Sequence, residues 1–271
     1  MKLKGHCLVT GSLLLIVAGM ACAQERPGWQ LVWSDEFDRT GLPDAKKWTY
    51  ETGLVRNNEA QYYTKDRLEN ARVEDGALVI EGRKEEFKGP DGKEAHFTAA
   101  SLTTDGLFET TYGRIEVRAK LPVARGAWPA IWMLGTNIHA VGWPKCGEID
   151  IMEAVGHEPG KVFATVHWFG YDKKGHDSLG GRLNDRKTGD DFHVYAVEWF
   201  ADRMDFYFDN EKYFTYPLEK AGAAEKNPFN KPHYLLINLA IGGAWGGQKG
   251  IDDAAFPQRY VIDYVRVYRK N

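Results

Sequence analysis

Three carboxylates crowd into six residues of this chain, Glu148-Ile149-Asp150-Ile151-Met152-Glu153. They fall in a run, residues 147–155, that alternates acid and aliphatic side chains between Pro144, Gly147 and Gly156, and so reads as a β-strand. Acids are depleted in strands, and burying a charge without a partner costs several kcal/mol. Residues i and i+2 of a strand share a face, which puts Glu148 and Asp150 together. Glu153, at i+5, has the wrong parity. A single β-bulge near Ile151 and Met152 restores it, and bulges are common beside active sites because they re-aim a side chain. All three acids then line one surface. Two carboxyls flanking a sugar bond are the equipment of glycoside hydrolysis, one ionised to attack the anomeric carbon and one protonated to release the leaving oxygen. The alternative is a strand whose acids face solvent and pair with lysines.

The elements around this strand are of one kind. Candidate strands recur every ten to fifteen residues, at 31–37, 77–83, 98–104, 113–121, 130–134, 147–155, 162–169, 193–200, 203–208, 234–241 and 259–268. In the fourth, Ile115, Val117, Ala119 and Leu121 alternate with Arg114, Glu116, Arg118 and Lys120, the pattern of a half-buried strand. Asp75-Gly76 and Asp209-Asn210 read as tight turns. Helical periodicity is nearly absent, and only 218–225 reads as a short helical turn. Many short strands with regular turns predict an all-β sandwich or jelly roll. No linker, charge run or repeat divides the chain, so residues 24–271 are expected to form a single domain. The 9 Trp, 13 Tyr and 13 Phe are spread along its length, enough for a core and for a surface that stacks on sugar rings.

The first 23 residues read as a targeting segment. Lys2 and Lys4 precede an apolar stretch at 13–18, and Ala21-Cys22-Ala23 fits a cleavage site before Gln24. The stretch is too short to span a membrane. The expected location is therefore secreted or periplasmic, with lipoprotein processing at Cys22 as the alternative, for which Gly19-Met20-Ala21 is a poor match. Cleavage leaves 33 bases against 38 acids, a net charge of −5, which argues against nucleic acid or an anionic membrane as partner. It also leaves Cys146 alone, so no internal disulfide forms and the fold rests on its core. Cys146 stands two residues before Glu148, but no base accompanies it, and a small buried structural thiol is the expectation.

The carboxylate strand resembles the E-I-D-I-x-E signature of glycoside hydrolase family 16 in its longer, bulged form. In its context, Gly142-Trp143-Pro144-Lys145-Cys146-Gly147 followed by the acids, it is similar to the laminarinase (endo-β-1,3-glucanase) branch. Other motifs follow in the family order. Trp33-Ser34-Asp35-Glu36-Phe37 resembles the first strand, and Asn57-Asn58-Glu59-Ala60-Gln61-Tyr62-Tyr63-Thr64 an early cleft loop. Tyr112-Gly113-Arg114-Ile115-Glu116-Val117-Arg118-Ala119-Lys120 and Trp128-Pro129-Ala130-Ile131-Trp132-Met133-Leu134 precede the acids. Asn238-Leu239-Ala240-Ile241-Gly242-Gly243 and Ile262-Asp263-Tyr264-Val265-Arg266-Val267-Tyr268 close the chain. The resemblance covers roughly residues 30–269.

The resemblance implies a concanavalin A-like jelly roll whose concave face carries the cleft. It assigns Glu148 as nucleophile and Glu153 as general acid/base, with net retention at a β-1,3 bond and no cofactor for catalysis. The charge of Asp150 should raise the pKa of Glu153, and its hydrogen bond should hold Glu148 in line. Asn58, Arg114, Trp128, Trp132, His167, Trp245 and Gln248 are implied to line the cleft, and Trp143 lies just before the catalytic strand. Trp245 sits in a glycine-rich loop, 242–247, that permits a tight wrap around a polymer. Asp263 shares parity with Val261, Val265 and Val267, which places an acid on an aliphatic row. By resemblance it joins Glu36 and the Gly76 carbonyl around a structural calcium. A buried Arg–Asp pair is the open alternative. The implied partner is a β-glucan met by a monomer. Mixed-linkage glucan, marine galactan and a non-catalytic sugar-binding module remain as alternative readings.

Overall fold

The computed structural model describes residues 26–271. The targeting segment read at 1–23, with Cys22, lies outside the described residues. The strands in chain order are β1 (Trp29–Asp35), β2 (Thr49–Glu51), β3 (Gln61–Tyr63), β4 (Ala71–Glu74), β5 (Ala77–Lys88), β6 (Glu94–Ala99), β7 (Ser101–Thr103), β8 (Gly113–Lys120), β9 (Ala127–Gly135), β10 (Glu148–Glu153), β11 (Val162–Gly170), β12 (Gly175–Leu183), β13 (His193–Trp199), β14 (Arg203–Phe208), β15 (Glu211–Pro217), β16 (His233–Ile241) and β17 (Gln258–Lys270). Among the described residues, helix is confined to single turns such as Ile138–Val141, Leu218–Ala221 and Gly243–Gly246.

Two sheets face each other, in the all-β jelly-roll sandwich expected from the sequence. One runs β12-β11-β10-β9-β16-β7-β2. The other runs β15-β14-β13-β8-β17-β5-β6-β3, with β1 added on β17 and β4 on β5. Between them lies one large apolar cluster, to which the first sheet contributes Ile131, Met133, Ile149, Val166, Ile237 and Leu239. Side chains of opposite parity point out of that sheet, and they make the cleft. Alternation thus sends every second residue of β9, β10, β11 and β16 to core and the others to substrate.

Several strands escaped the sequence reading. β12 is the clearest case, because it carries Gly175, Gly180 and Gly181. A Cβ on Gly180 would stand 2.7 Å from the Ala164 carbonyl, and one on Gly181 would stand 2.6 Å from Phe214. Glycine answers a close approach here, at the expense of strand propensity.

Two parity readings are corrected. Opposite β8, the register of β17 shifts between Ile262 and Tyr264, which makes Asp263 the extra residue of a bulge. The buried row is therefore Tyr260, Ile262, Val265 and Val267, and Asp263 leaves it. Its carboxylate accepts from Arg118 Nη1 at 2.6 Å with about a third of its side chain exposed. In β8, Arg114 and Glu116 are buried as fully as the aliphatic row. Arg114 donates to Glu116 at 2.8 Å and to Glu198 at 3.0 Å, while Arg26 and Tyr268 close over Glu116. A second layer of ion pairs covers the outer face of that sheet.

Candidate active site

The expected bulge is present in β10. Asp150 pairs with Trp132 of β9, but the next partners are Met152 and Ile131, and on the β11 side the register jumps from Asp150 to Glu153. Ile151 and Met152, neighbours in sequence, both sink into the core. Glu148, Asp150 and Glu153 consequently emerge on one face, in a cleft of about 860 Å³. A regular strand would have sent Glu153 inward.

Glu148 and Glu153 each have their own indole. Trp143 Nε1 donates to Glu148 Oε2 at 2.7 Å, and Trp128 Nε1 donates to Glu153 Oε1 at 3.0 Å. Asp150 lies almost fully buried between them, with His167 Nε2 at 3.0 Å from its Oδ2. That approach is an ion-pair distance without hydrogen-bond alignment, since Oδ2 has no aligned donor.

Burial sets the proton affinities. Glu153 is held well above the ordinary carboxylate range, first by desolvation and then by the charge of Asp150. Glu148 is pushed up to about 8 by desolvation and by Asp150, while His167 and the Trp143 indole work against the rise. Asp150 is raised by burial and lowered by its hydrogen bond to Glu148. Desolvation and mutual repulsion oppose ionising all three acids together, so they titrate as a cluster.

Aromatic walls flank the acids. Trp245 packs edge-on against Trp128 at 5.6 Å and Phe163 at 5.0 Å. Its loop is tied down rather than loose. Gly242 and Gly243 have positive φ, a Cβ on Gly243 would meet Glu59 Cγ at 2.9 Å, and Ala244 N donates to the Asn57 carbonyl at 2.8 Å. Those glycines let the 57–59 loop close in. On the other side of the cleft, Trp132 donates to Asn238 at 2.7 Å and lies under the Arg56 guanidinium at 4.8 Å. Asn238 donates to Tyr63, which donates to Glu59, so a buried polar chain braces this wall.

Trp128, Trp132, Trp143, His167 and Trp245 thus line the cleft with the three acids. Arg114 does not, being buried in the outer layer of the opposite sheet. Asn58 and Gln248 are exposed and lie outside the lining, although Asn57 and Trp245, close by in sequence, are in it. Sequence reasoning missed Arg56, Glu59, Tyr234 and His176 as lining residues. Glu59 belongs to the early loop already singled out, Arg56 directly precedes that loop, and strand parity in β16 could have found Tyr234 four residues before Asn238. Nothing marked His176.

The residues proposed for a cation are engaged elsewhere. Glu36 takes two hydrogen bonds from Arg266, at 2.9 and 2.7 Å, and Asp263 pairs with Arg118. Such a donor set, already neutralised by guanidinium groups, does not fit a calcium site. Among the described residues, the group of three Asp, Glu, His or Cys side chains whose ligand atoms all lie within 4.8 Å of one another is Glu148, Asp150 and His167. Their roles in the acid cluster account for that proximity. Cys146 is fully buried, with its thiol pushed up to about 11 by burial, as a structural residue should be.

The profile of the glycosyl hydrolases family 16 matches residues 54–266. The chain belongs to that family. A β-glucanase of Rhodothermus marinus is 45% identical over 99% of this chain and 97% of its own length. The structure of the laminarinase from Rhodothermus marinus superposes with a TM-score of 0.82, at 45% identity, over 90% of this chain and 98% of the other. A non-specific endo-β-1,3(4)-glucanase of the family superposes at 0.83 with 44% identity, over 91% and 93% of the two chains. The family 16 protein described here is therefore a hydrolase of glycosidic bonds.

Proposed function

We propose that this family 16 protein is an exported, retaining endo-β-1,3-glucanase acting on laminarin-type polymers. The observation that carries the mechanism is the β10 bulge, which brings Glu148 and Glu153 to one face with Asp150 between them. Glu148 attacks the anomeric carbon while Glu153 gives its proton to the leaving oxygen. The resulting glycosyl ester is hydrolysed by water that Glu153, now a base, deprotonates. Asp150 supports both tasks by keeping Glu153 protonated and by its hydrogen bond to Glu148.

The lining supports a neutral polymer. It holds Glu51, Glu59, Asp105 and the three catalytic-type acids, against Arg56 as its one lysine or arginine. A sulfated galactan would bring like charge into this cleft, which disfavours binding. The exposed and half-buried indoles offer apolar faces to sugar rings. The β-1,3 linkage rests on the relatives, which are named as a β-glucanase and a laminarinase. A pure binding module has no need of two acids brought to one face, each with its own indole donor. Export rests on the targeting segment read at 1–23.

The test is a product profile over laminarin, mixed-linkage glucan, cellulose, agarose and carrageenan. The expected result is rapid release of short oligosaccharides from laminarin, weaker action on mixed-linkage glucan and none on cellulose. A preference for agarose or carrageenan would overturn the specificity and leave the chemistry standing.

A further inference from the structure

Beside the acid cluster stands a second imidazole. His176, in the edge strand β12, faces the cleft, and its Nε2 lies 2.8 Å from Nδ1 of His167. The two rings stack at 5.1 Å with their planes 22° apart. Trp143 closes over His176 at 4.8 Å, while its own Nε1 holds Glu148. A continuous contact path therefore runs from Asp150 through His167 to His176, and from His176 through Trp143 to Glu148.

We infer that His176 is a positioning residue for the reaction, which holds the His167 ring beside Asp150 by accepting from Nδ1–H, and which props the Trp143 indole against Glu148. The inference rests on the retaining mechanism proposed above. Held there, His167 opposes the rise in proton affinity at Glu148 and at Glu153. His176 is suited to the acceptor role, because burial and the neighbouring His167 lower its own proton affinity. The other charged groups around the pair are accounted for. Asp177 is held by Lys173 at 2.8 Å, and Lys145 lies 5.3 Å from the ring of Phe169, the cross-strand partner of His176.

Two variants test this against wild type on laminarin, with kcat, KM and the pH profile measured for each. His176→Phe keeps the ring against Trp143 and removes the acceptor. His176→Gln keeps a polar atom near Nε2. We expect His176→Phe to lower kcat about tenfold with KM nearly unchanged, the scale of one lost hydrogen bond. The acidic limb of kcat/KM should also move to higher pH, because Glu148 ionises less readily once His167 is no longer held beside the acids. His176→Gln should recover most of both. A His176→Phe enzyme with wild-type kcat and pH profile would overturn the inference, as would a rise in KM alone, which would make His176 a sugar contact. Equal impairment of the two variants would also overturn it. Failure of the retaining reading looks different, since wild type would then release the inverted anomer whatever stands at position 176.

Discussion

Trp143 donates its indole N–H to Glu148 at 2.7 Å, although half of the Trp143 side chain is open to solvent. An exposed residue thus stabilises the charged form of a carboxylate that burial pushes up to about 8. Trp143→Phe keeps the ring and removes the donor. The expected outcome is a fall in kcat/KM of about tenfold, matching a charge-assisted hydrogen bond of about 1.5 kcal/mol. The acidic limb of the pH profile should move upward, because Glu148 then needs a higher pH to ionise. A profile that superposes on wild type would show that the indole serves substrate alone.

Glu153 gives a stability signature with a definite sign. Its carboxyl is held well above the usual range by burial and by Asp150, whereas the unfolded chain ionises it near about 4.3. The folded state therefore binds the proton more tightly. Its contribution is fully present below the unfolded pKa and is lost as the pH rises through the folded one. Glu153→Gln removes the buried charge and keeps an acceptor for Trp128. We expect this inactive variant to melt a few degrees above wild type at about pH 8, as 1–2 kcal/mol would give in roughly 250 residues, and level with it at about pH 4. A lower melting temperature at the alkaline end would contradict the account.

Much of this site was legible in residue spacing. The i, i+2 pair and the odd-parity third acid called for a bulge, and Ile151 and Met152 supply it. Asp263 shows the limit of the same reasoning. An unmarked bulge in β17 inverted its parity, so an acid that counted as buried lies on the outer row with Arg118. Arg114 failed for another reason, because it was placed in the cleft by resemblance alone, and it stands on the opposite sheet, buried against Glu116 and Glu198. His176 was hidden by glycines that β12 needs for close packing, which erased the strand signal around it.

Trp245 is wedged between Trp128 and Phe163, and Trp128 holds Glu153. Trp245→Ala should therefore affect more than stacking on sugar. We expect kcat/KM on laminarin to fall by about 1–3 kcal/mol, with kcat sharing the loss because the Trp128 indole is freed. A change confined to KM would mean that Trp128 holds its place without this neighbour.

The ion-pair arrangement of Asp263 predicts indifference to chelation. With Glu36 and Asp263 engaged by arginines, excess chelator and added calcium should give the same melting temperature. Asp263→Ala should cost less than about 1 kcal/mol, as half-exposed pairs do. A chelator-dependent drop that Asp263→Ala abolishes would instead establish a cation bound to the folded state, stabilising it by mass action.

The central claim is that Glu148 and Glu153 act as nucleophile and acid/base in a double displacement on a β-1,3-glucan. Proton NMR of the anomeric signals during the first minutes of laminarin hydrolysis tests it most directly. The account predicts that new reducing ends appear as the β-anomer and only later mutarotate. Initial release of the α-anomer would contradict it, and so would a laminarin sample that yields no new reducing ends.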